Sequence, residues 1–167
     1  MKRIAVYAGS FDPPTLGHQW MMREGAALFD ELVVVLAVNP DKRGYLPFGE
    51  RERLLRDMAA EIGGHVRVER YERGFLAEYA ARLGAQYLLR GVRNAQDLDY
   101  EKTIARMNAR MEPGLHTVFL SPPAELEALS SSLVRGFIGQ PGWERWAAPC
   151  VPTAVLEALV RSLHRGE

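Results

Sequence analysis

Apolar positions along the chain alternate between two kinds of pattern. Ile4, Ala5, Val6, Tyr7 and Ala8 form one unbroken apolar run and residues 32–38 form another, the second rich in valine. Short runs of this kind, each ending in turn residues, read as strands covered on both faces, as in a parallel sheet. Residues 19–29 between them read as a helix. The alternation then repeats. Residues 51–62 are helical in pattern until Gly63-Gly64 stops them, residues 65–71 read as a third strand, and residues 75–83 read as a helix closed by Gly84. A short fourth strand, 86–89, runs into Arg90-Gly91. Residues 98–111 form a long amphipathic helix that stops at Pro113-Gly114, and 115–120 a fifth strand. Ser130 opens another helix, and residues 153–164 close the chain as the last one. Strands alternating with helices over short loops predict an α/β, Rossmann-like, doubly wound fold: a five-stranded parallel sheet with right-handed crossovers and helices on both faces. Ligands in such sheets bind beyond the carboxyl ends of the strands. The polar motifs of this chain follow strand ends.

Composition narrows the class. A chain of 167 residues suits one domain, here 1–167, and its 47% apolar and 25% charged residues are ordinary for a globular protein. Twenty-one basic and twenty-one acidic residues cancel, so an anion site must be built locally and no nucleic-acid or membrane partner is expected. Cys150 is alone and has no zinc-site spacing around it, which fits a reducing compartment. Met1-Lys2-Arg3 imitates the start of a signal peptide, but Asp12 and the prolines that follow interrupt the apolar run, so a cytoplasmic location is expected. No G-x-x-x-x-G-K-[ST], G-x-G-x-x-G or G-x-S-x-G motif occurs, which disfavours a P-loop kinase, a dinucleotide dehydrogenase and a serine hydrolase.

The stretch from Gly9 to His18 (Gly-Ser-Phe-Asp-Pro-Pro-Thr-Leu-Gly-His) is a strand-to-helix turn. Gly9 permits close backbone approach, Asp12-Pro13-Pro14 forces a non-helical turn, and Thr15 can cap the helix that follows. Unpaired N–H groups at a helix start favour an anion, with Ser10 and a protonated His18 beside it. In an ordinary βα turn His18 would be a helix-start residue and Ser10 a local cap. Lys42 follows the second strand, where a lone lysine could equally be a solvated loop charge. Arg90-Gly91-Val92-Arg93 places two guanidinium groups at a strand end, a geometry that matches phosphate oxygens. Ser130-Ser131-Ser132 opens a helix; a plain N-cap would use one of the three.

These blocks resemble a known family. Thr15-x-Gly17-His18 after Gly9-Ser10-Phe11-Asp12-Pro13 is similar to the (His/Thr)-x-Gly-His signature of the nucleotidyltransferase superfamily. With the Arg90 to Glu101 block, Met107-Asn108 and Ser130 to Arg135, the chain most resembles bacterial phosphopantetheine adenylyltransferases. The resemblance implies transfer of an adenylyl group from ATP to 4′-phosphopantetheine, giving dephospho-coenzyme A and pyrophosphate. It implies His18 as transition-state stabiliser, with Ser10, Lys42, Arg90, Leu76 and Asn108 on the acceptor, though Leu76 reads equally well as core. It puts Ser10, Phe11, His18, Gly91, Val92, Arg93, Glu101, Leu126, Glu127, Ala128, Leu129, Ser130, Ser131 and Ser132 on ATP. Mg2+, a homohexamer and feedback by coenzyme A are implied in the same way. Two departures stand out: about two extra residues before Phe48, and Leu126-Glu127-Ala128 where the family has an aromatic residue followed by Ser-Phe. A nicotinate-nucleotide adenylyltransferase and a non-catalytic nucleotide-binding regulator are the alternatives. Trp143 and Trp146 are assigned to packing.

Overall fold

The computed structural model describes residues 2–37 and 44–164. Its five strands are β1 (Ile4–Gly9), β2 (Glu31–Ala37), β3 (Val66–Tyr71), β4 (Tyr87–Gly91) and β5 (His116–Leu120). They form one parallel sheet in the order β3-β2-β1-β4-β5. The expected doubly wound sheet is therefore present. Period-two alternation sorts its side chains: Ala5, Tyr7, Leu32, Val34 and Leu36 face one core, and Val6, Ala8, Val33 and Val35 face the other. Each fully buried Val or Leu stabilises the fold by about 1.5–3 kcal/mol relative to exposure.

Helix α1 (Leu16–Leu28) and helix α2 (Phe48–Ile62) cover the first face, and α3 (Leu76–Arg82) packs on the second, with α4 (Ala95–Met111) beside it. Gly25 lets α1 lie close to the sheet, because a Cβ there would stand 2.8 Å from the Leu89 side chain. Beyond β5 come α5 (Ala124–Glu127), α6 (Ser131–Phe137), α7 (Glu144–Ala147), a 3-10 turn (Ala148–Cys150) and α8 (Thr153–His164). These build a third cluster, including Leu46 and Leu54 with Val134, Val155 and Leu159.

Several boundaries differ from the sequence pattern for local reasons. Helix α4 begins before residue 98 because the Asn94 side chain accepts from the Asp97 N–H and caps it. Helices α5 and α7 are single turns, too short to show a period. Trp143 packs as expected, 3% exposed in the third cluster, whereas Trp146 is 57% exposed and its ring lies under the Arg145 guanidinium. Cys150 is buried and free, and burial raises its thiol pKa.

Candidate active site

The strand order reverses between β1 and β4, whose following helices cover opposite faces of the sheet. A crevice must open there beyond Gly9 and Gly91. It does: a cleft of about 410 Å³ is lined by Tyr7, Gly9, His18, Arg90, Gly91, Arg93, Glu101, Leu126, Leu129, Ser130 and Ser131, among others.

One wall is the turn after β1. Gly9 allows a close approach, since a Cβ would stand 3.2 Å from the Phe11 ring. Phe11 is 1% exposed and holds φ 46°, a left-handed conformation that costs a non-glycine residue about 1–3 kcal/mol and persists only when its surroundings enforce it. Those surroundings are side chains from distant elements. Arg51 Nη1 donates to the Ser10 carbonyl (2.8 Å), Arg135 Nη1 to the Asp12 carbonyl, and Ser131 Oγ to the Pro13 carbonyl (2.8 Å). Asp12 turns its buried carboxylate outward from the turn and accepts from the N–H groups of Tyr45 and Leu46 at 2.7 and 2.8 Å. Ser10 itself is exposed at the tip.

Thr15 caps α1 as expected, in a reciprocal box with His18. The His18 N–H donates to Thr15 Oγ1 (3.3 Å), and the Thr15 N–H donates to His18 Nδ1 (2.9 Å). A ring whose Nδ1 accepts carries its neutral-form proton on Nε2. Burial and, after it, the nearby Arg93 charge lower the His18 pKa to about 4. A ring held this way is neutral near pH 7 and presents an Nε2–H donor to the cleft, where the sequence suggests an imidazolium. Its orientation is also fixed by Phe11, edge-to-face at 5.0 Å.

The opposite wall is the end of β4 and the start of α4. Arg90 and Arg93 are not bare cations. Arg90 donates from Nε (2.8 Å) and Nη2 to the two oxygens of Glu101, and from Nη1 to the Ala8 carbonyl at 3.3 Å. Glu101 is the buried residue of α4, a site a carboxylate occupies when it has a cation to hold. One N–H on each Arg90 terminal nitrogen remains for an anion. Arg93 Nε donates to Asp97 (2.9 Å), an i,i+4 pair with the arginine side chain 40% exposed. Among the described residues no three His, Cys, Asp or Glu side chains gather as a metal cage.

The other named residues are not on the cleft lining. Glu127, Ala128, Val92, Ser132, Ser10 and Phe11 neighbour lining residues in sequence; Leu76 packs partly buried against the core of the second face, and Asn108 is half-buried on α4. Lys42 lies outside the described residues. Tyr7 is a wall residue that the sequence pattern presents only as strand core; burial raises its phenol pKa, against the pull of Arg90.

A parallel sheet with a cleft at its switch point, faced by a helix-start histidine and by arginines, is the architecture of a nucleotidyltransferase. A cytidylyltransferase-like family model matches residues 6–137, which takes in every cleft element named above. Phosphopantetheine adenylyltransferase of Chromobacterium violaceum is 45% identical over 160 residues, 96% of each chain. The enzyme of the same name from Neisseria meningitidis serogroup C is 43% identical over 158 residues, 95% of this chain and 92% of its own. The chain belongs to the phosphopantetheine adenylyltransferase family. Among solved structures it is similar in fold to a Plasmodium falciparum nicotinic acid mononucleotide adenylyltransferase complexed with NaAD, with a TM-score of 0.72, 15% identity and 96% of each chain covered. The same Plasmodium protein complexed with APC gives 0.71 at 14% identity, again with 96% of each chain covered.

Proposed function

We propose that the chain transfers the adenylyl group of ATP to 4′-phosphopantetheine, releasing pyrophosphate and dephospho-coenzyme A in coenzyme A synthesis. The observation that carries this reading is the cleft itself, in which an oriented Nε2–H of His18 faces arginines prearranged by carboxylates, in a chain of this family. An oxygen of the acceptor phosphate attacks the α-phosphorus in line; the bond from that phosphorus to the bridging oxygen breaks, and pyrophosphate leaves. No side chain need form a covalent bond. The work is positioning two anions that repel each other and stabilising the charge that develops.

Ser10, Lys42 and the free N–H groups of Arg90 orient the acceptor, whose arm runs toward Leu76 and Asn108. Gly91, Val92, Arg93 and the serines from Ser130 to Ser132 hold the nucleotide, with Phe11 and residues 126–129 beside it. Glu101 acts through Arg90. His18 donates from Nε2 to a phosphate oxygen, and the approaching polyphosphate raises its pKa. Mg2+ fits this site as a passenger of the triphosphate, since Asp97 and Glu101 are occupied by Arg93 and Arg90; bound there, it neutralises phosphate charge.

A nicotinate-nucleotide adenylyltransferase is favoured by the fold neighbours alone, at 15% identity, against 45% for the phosphopantetheine relatives. Work in the cytoplasm as one domain fits that role, and no described helix is long and apolar enough to cross a membrane. A homohexamer fits the exposure of α4, where Tyr100 and Met107 are 66% and 52% exposed, and of β5, which has no fully buried residue. Coenzyme A carries both an adenine nucleotide and a phosphopantetheine arm, so competition for the same cleft follows. The test is an acceptor panel with ATP and magnesium, read as pyrophosphate release. Phosphopantetheine should react, pantetheine without its phosphate should not, and nicotinate mononucleotide should react poorly. Preference for nicotinate mononucleotide would overturn the assignment, and no turnover with any acceptor would favour a nucleotide-binding regulator.

A further inference from the structure

Arg51 lies on the first turn of α2 and is not among the groups placed on a ligand above. Its side chain is nonetheless more than nine-tenths buried, with 7% of the residue exposed. Nη1 donates to the Ser10 carbonyl at 2.8 Å, while Nε, also buried, has no hydrogen-bond partner among the described residues. The chain passes directly over the guanidinium at Gly44, where a Cβ would stand 2.8 Å from Nη2 and 3.1 Å from Asp12 Oδ2. The Phe48 ring lies 5.8 Å from the guanidinium carbon. Among the described residues no carboxylate oxygen bonds to it directly; Asp12, which borders the same space at Gly44, accepts from the N–H groups of Tyr45 and Leu46. A buried guanidinium that leaves an N–H unpaired opposes folding. A residue kept at such a cost needs a return elsewhere.

That return is the turn above it. Ser10 is the exposed tip, Phe11 next to it is held in an unfavourable left-handed conformation, and the Ser10 carbonyl is fixed by Arg51. We infer that Arg51 is a positioning residue for adenylyl transfer: from beneath the turn it fixes the Ser10–Phe11 backbone and supplies a buried positive charge that favours the acceptor phosphate, without touching it. The inference rests on the functional reading above and deepens it.

Three substitutions separate charge, donor and packing. R51K keeps the charge and one donor, R51Q keeps a donor without charge, and R51M keeps only an apolar stem against Phe48. Each is compared with the parent chain for kcat and KM toward phosphopantetheine, for calorimetric affinity toward the same acceptor, and for thermal unfolding. R51M should weaken acceptor binding by about 10-fold or more and lower kcat/KM at least as much, the size expected when a buried positive charge near a bound anion is removed. Its unfolding midpoint should stay within about 4 °C of the parent. R51K should recover most of the loss and R51Q less of it. A well-folded R51M with parental acceptor affinity and kcat/KM would overturn the inference, leaving Arg51 a structural residue. Should R51M not fold, R51Q decides: acceptor affinity equal to that of R51K would overturn it, and weaker affinity would support it. A parent chain that does not turn over phosphopantetheine would instead sink the functional reading, and acceptor binding by the variants would still report on Arg51.

Discussion

The two walls of the cleft are built on different physical grounds. The β1 wall is fixed by burial and by hydrogen bonds to its own backbone: carbonyls of Ser10, Asp12 and Pro13 are each held by a side chain from α2 or α6. The β4 wall is fixed by charge pairs between side chains, Arg90 with Glu101 and Arg93 with Asp97, on a helix that buries little else. A wall of the first kind holds its shape whether or not a ligand is present. The second kind exchanges part of its pairing when an anion arrives, because phosphate and carboxylate compete for the same donors. The division suits a reaction in which one group must be oriented before binding and two charges must be neutralised during it.

Substitutions can break that comparison, and the largest effect is expected on the prearranged wall. His18→Ala removes the donor aimed at developing charge and should lower kcat by roughly 10²-fold or more, with less effect on ATP affinity. Steady-state kinetics with calorimetry would show it; an unchanged kcat would remove His18 from the chemistry. On the other wall, Arg90→Ala should weaken acceptor binding by about 10- to 100-fold and leave Glu101 buried without its cation. Arg93→Ala should act mainly on ATP and by less, because its pair with Asp97 is open to water and screened by salt. Titrating each variant with each ligand tests the assignment, and a reversed pattern would show that acceptor and nucleotide are exchanged between the arginines.

Smaller effects sharpen the contrast. Thr15→Val deletes the side-chain half of the capping box and should cost about 1 kcal/mol, or about 2–4 °C in unfolding midpoint. The Thr15 N–H would still hold Nδ1, so kcat should change far less than in His18→Ala. The ring also sets a pH dependence of known sign. Its folded pKa of about 4 lies below the ordinary 6.5, so between these values the unfolded chain binds the extra proton. This contribution to stability is complete above about pH 6.5 and is lost as pH falls toward 4. Comparing His18→Asn with the parent in urea unfolding at several pH values isolates it. An NMR titration should find the free-enzyme midpoint near 4 and a higher midpoint with a triphosphate bound; a free-enzyme midpoint near 6.5 would contradict a half-buried ring held neutral.

The same division governs what the sequence reveals. Strand cores announce themselves because Leu32, Val33, Val34, Val35 and Leu36 are contiguous and apolar on both faces. The Ser10 to His18 turn is legible because its signals are local: a glycine, prolines and a cap within one stretch. The contacts that hold it are not local. Asp12 finds its partners 33 and 34 residues away, and Arg135 reaches back 123 residues to the Asp12 carbonyl. No periodicity encodes such pairings. Arg51 reads as an ordinary charged residue at the start of a helix, and Tyr7 as one more apolar strand position, until the sheet places them beside the cleft. Arg90 and Glu101 are both visible in the motif, but their mutual bond depends on how α4 leaves β4. Lys42 lies outside the described residues, so its place rests on resemblance.

The most direct test of positioning without covalent catalysis is the stereochemistry at the transferring phosphorus. ATP made chiral at the α-phosphorus by sulfur and oxygen isotopes would be turned over with phosphopantetheine, and the configuration of the dephospho-coenzyme A product read by phosphorus NMR. A single in-line displacement, with the acceptor phosphate as nucleophile, gives inversion. Net retention would mean two displacements and an adenylyl group carried on the protein, which would contradict a cleft whose residues only hold and orient its anions.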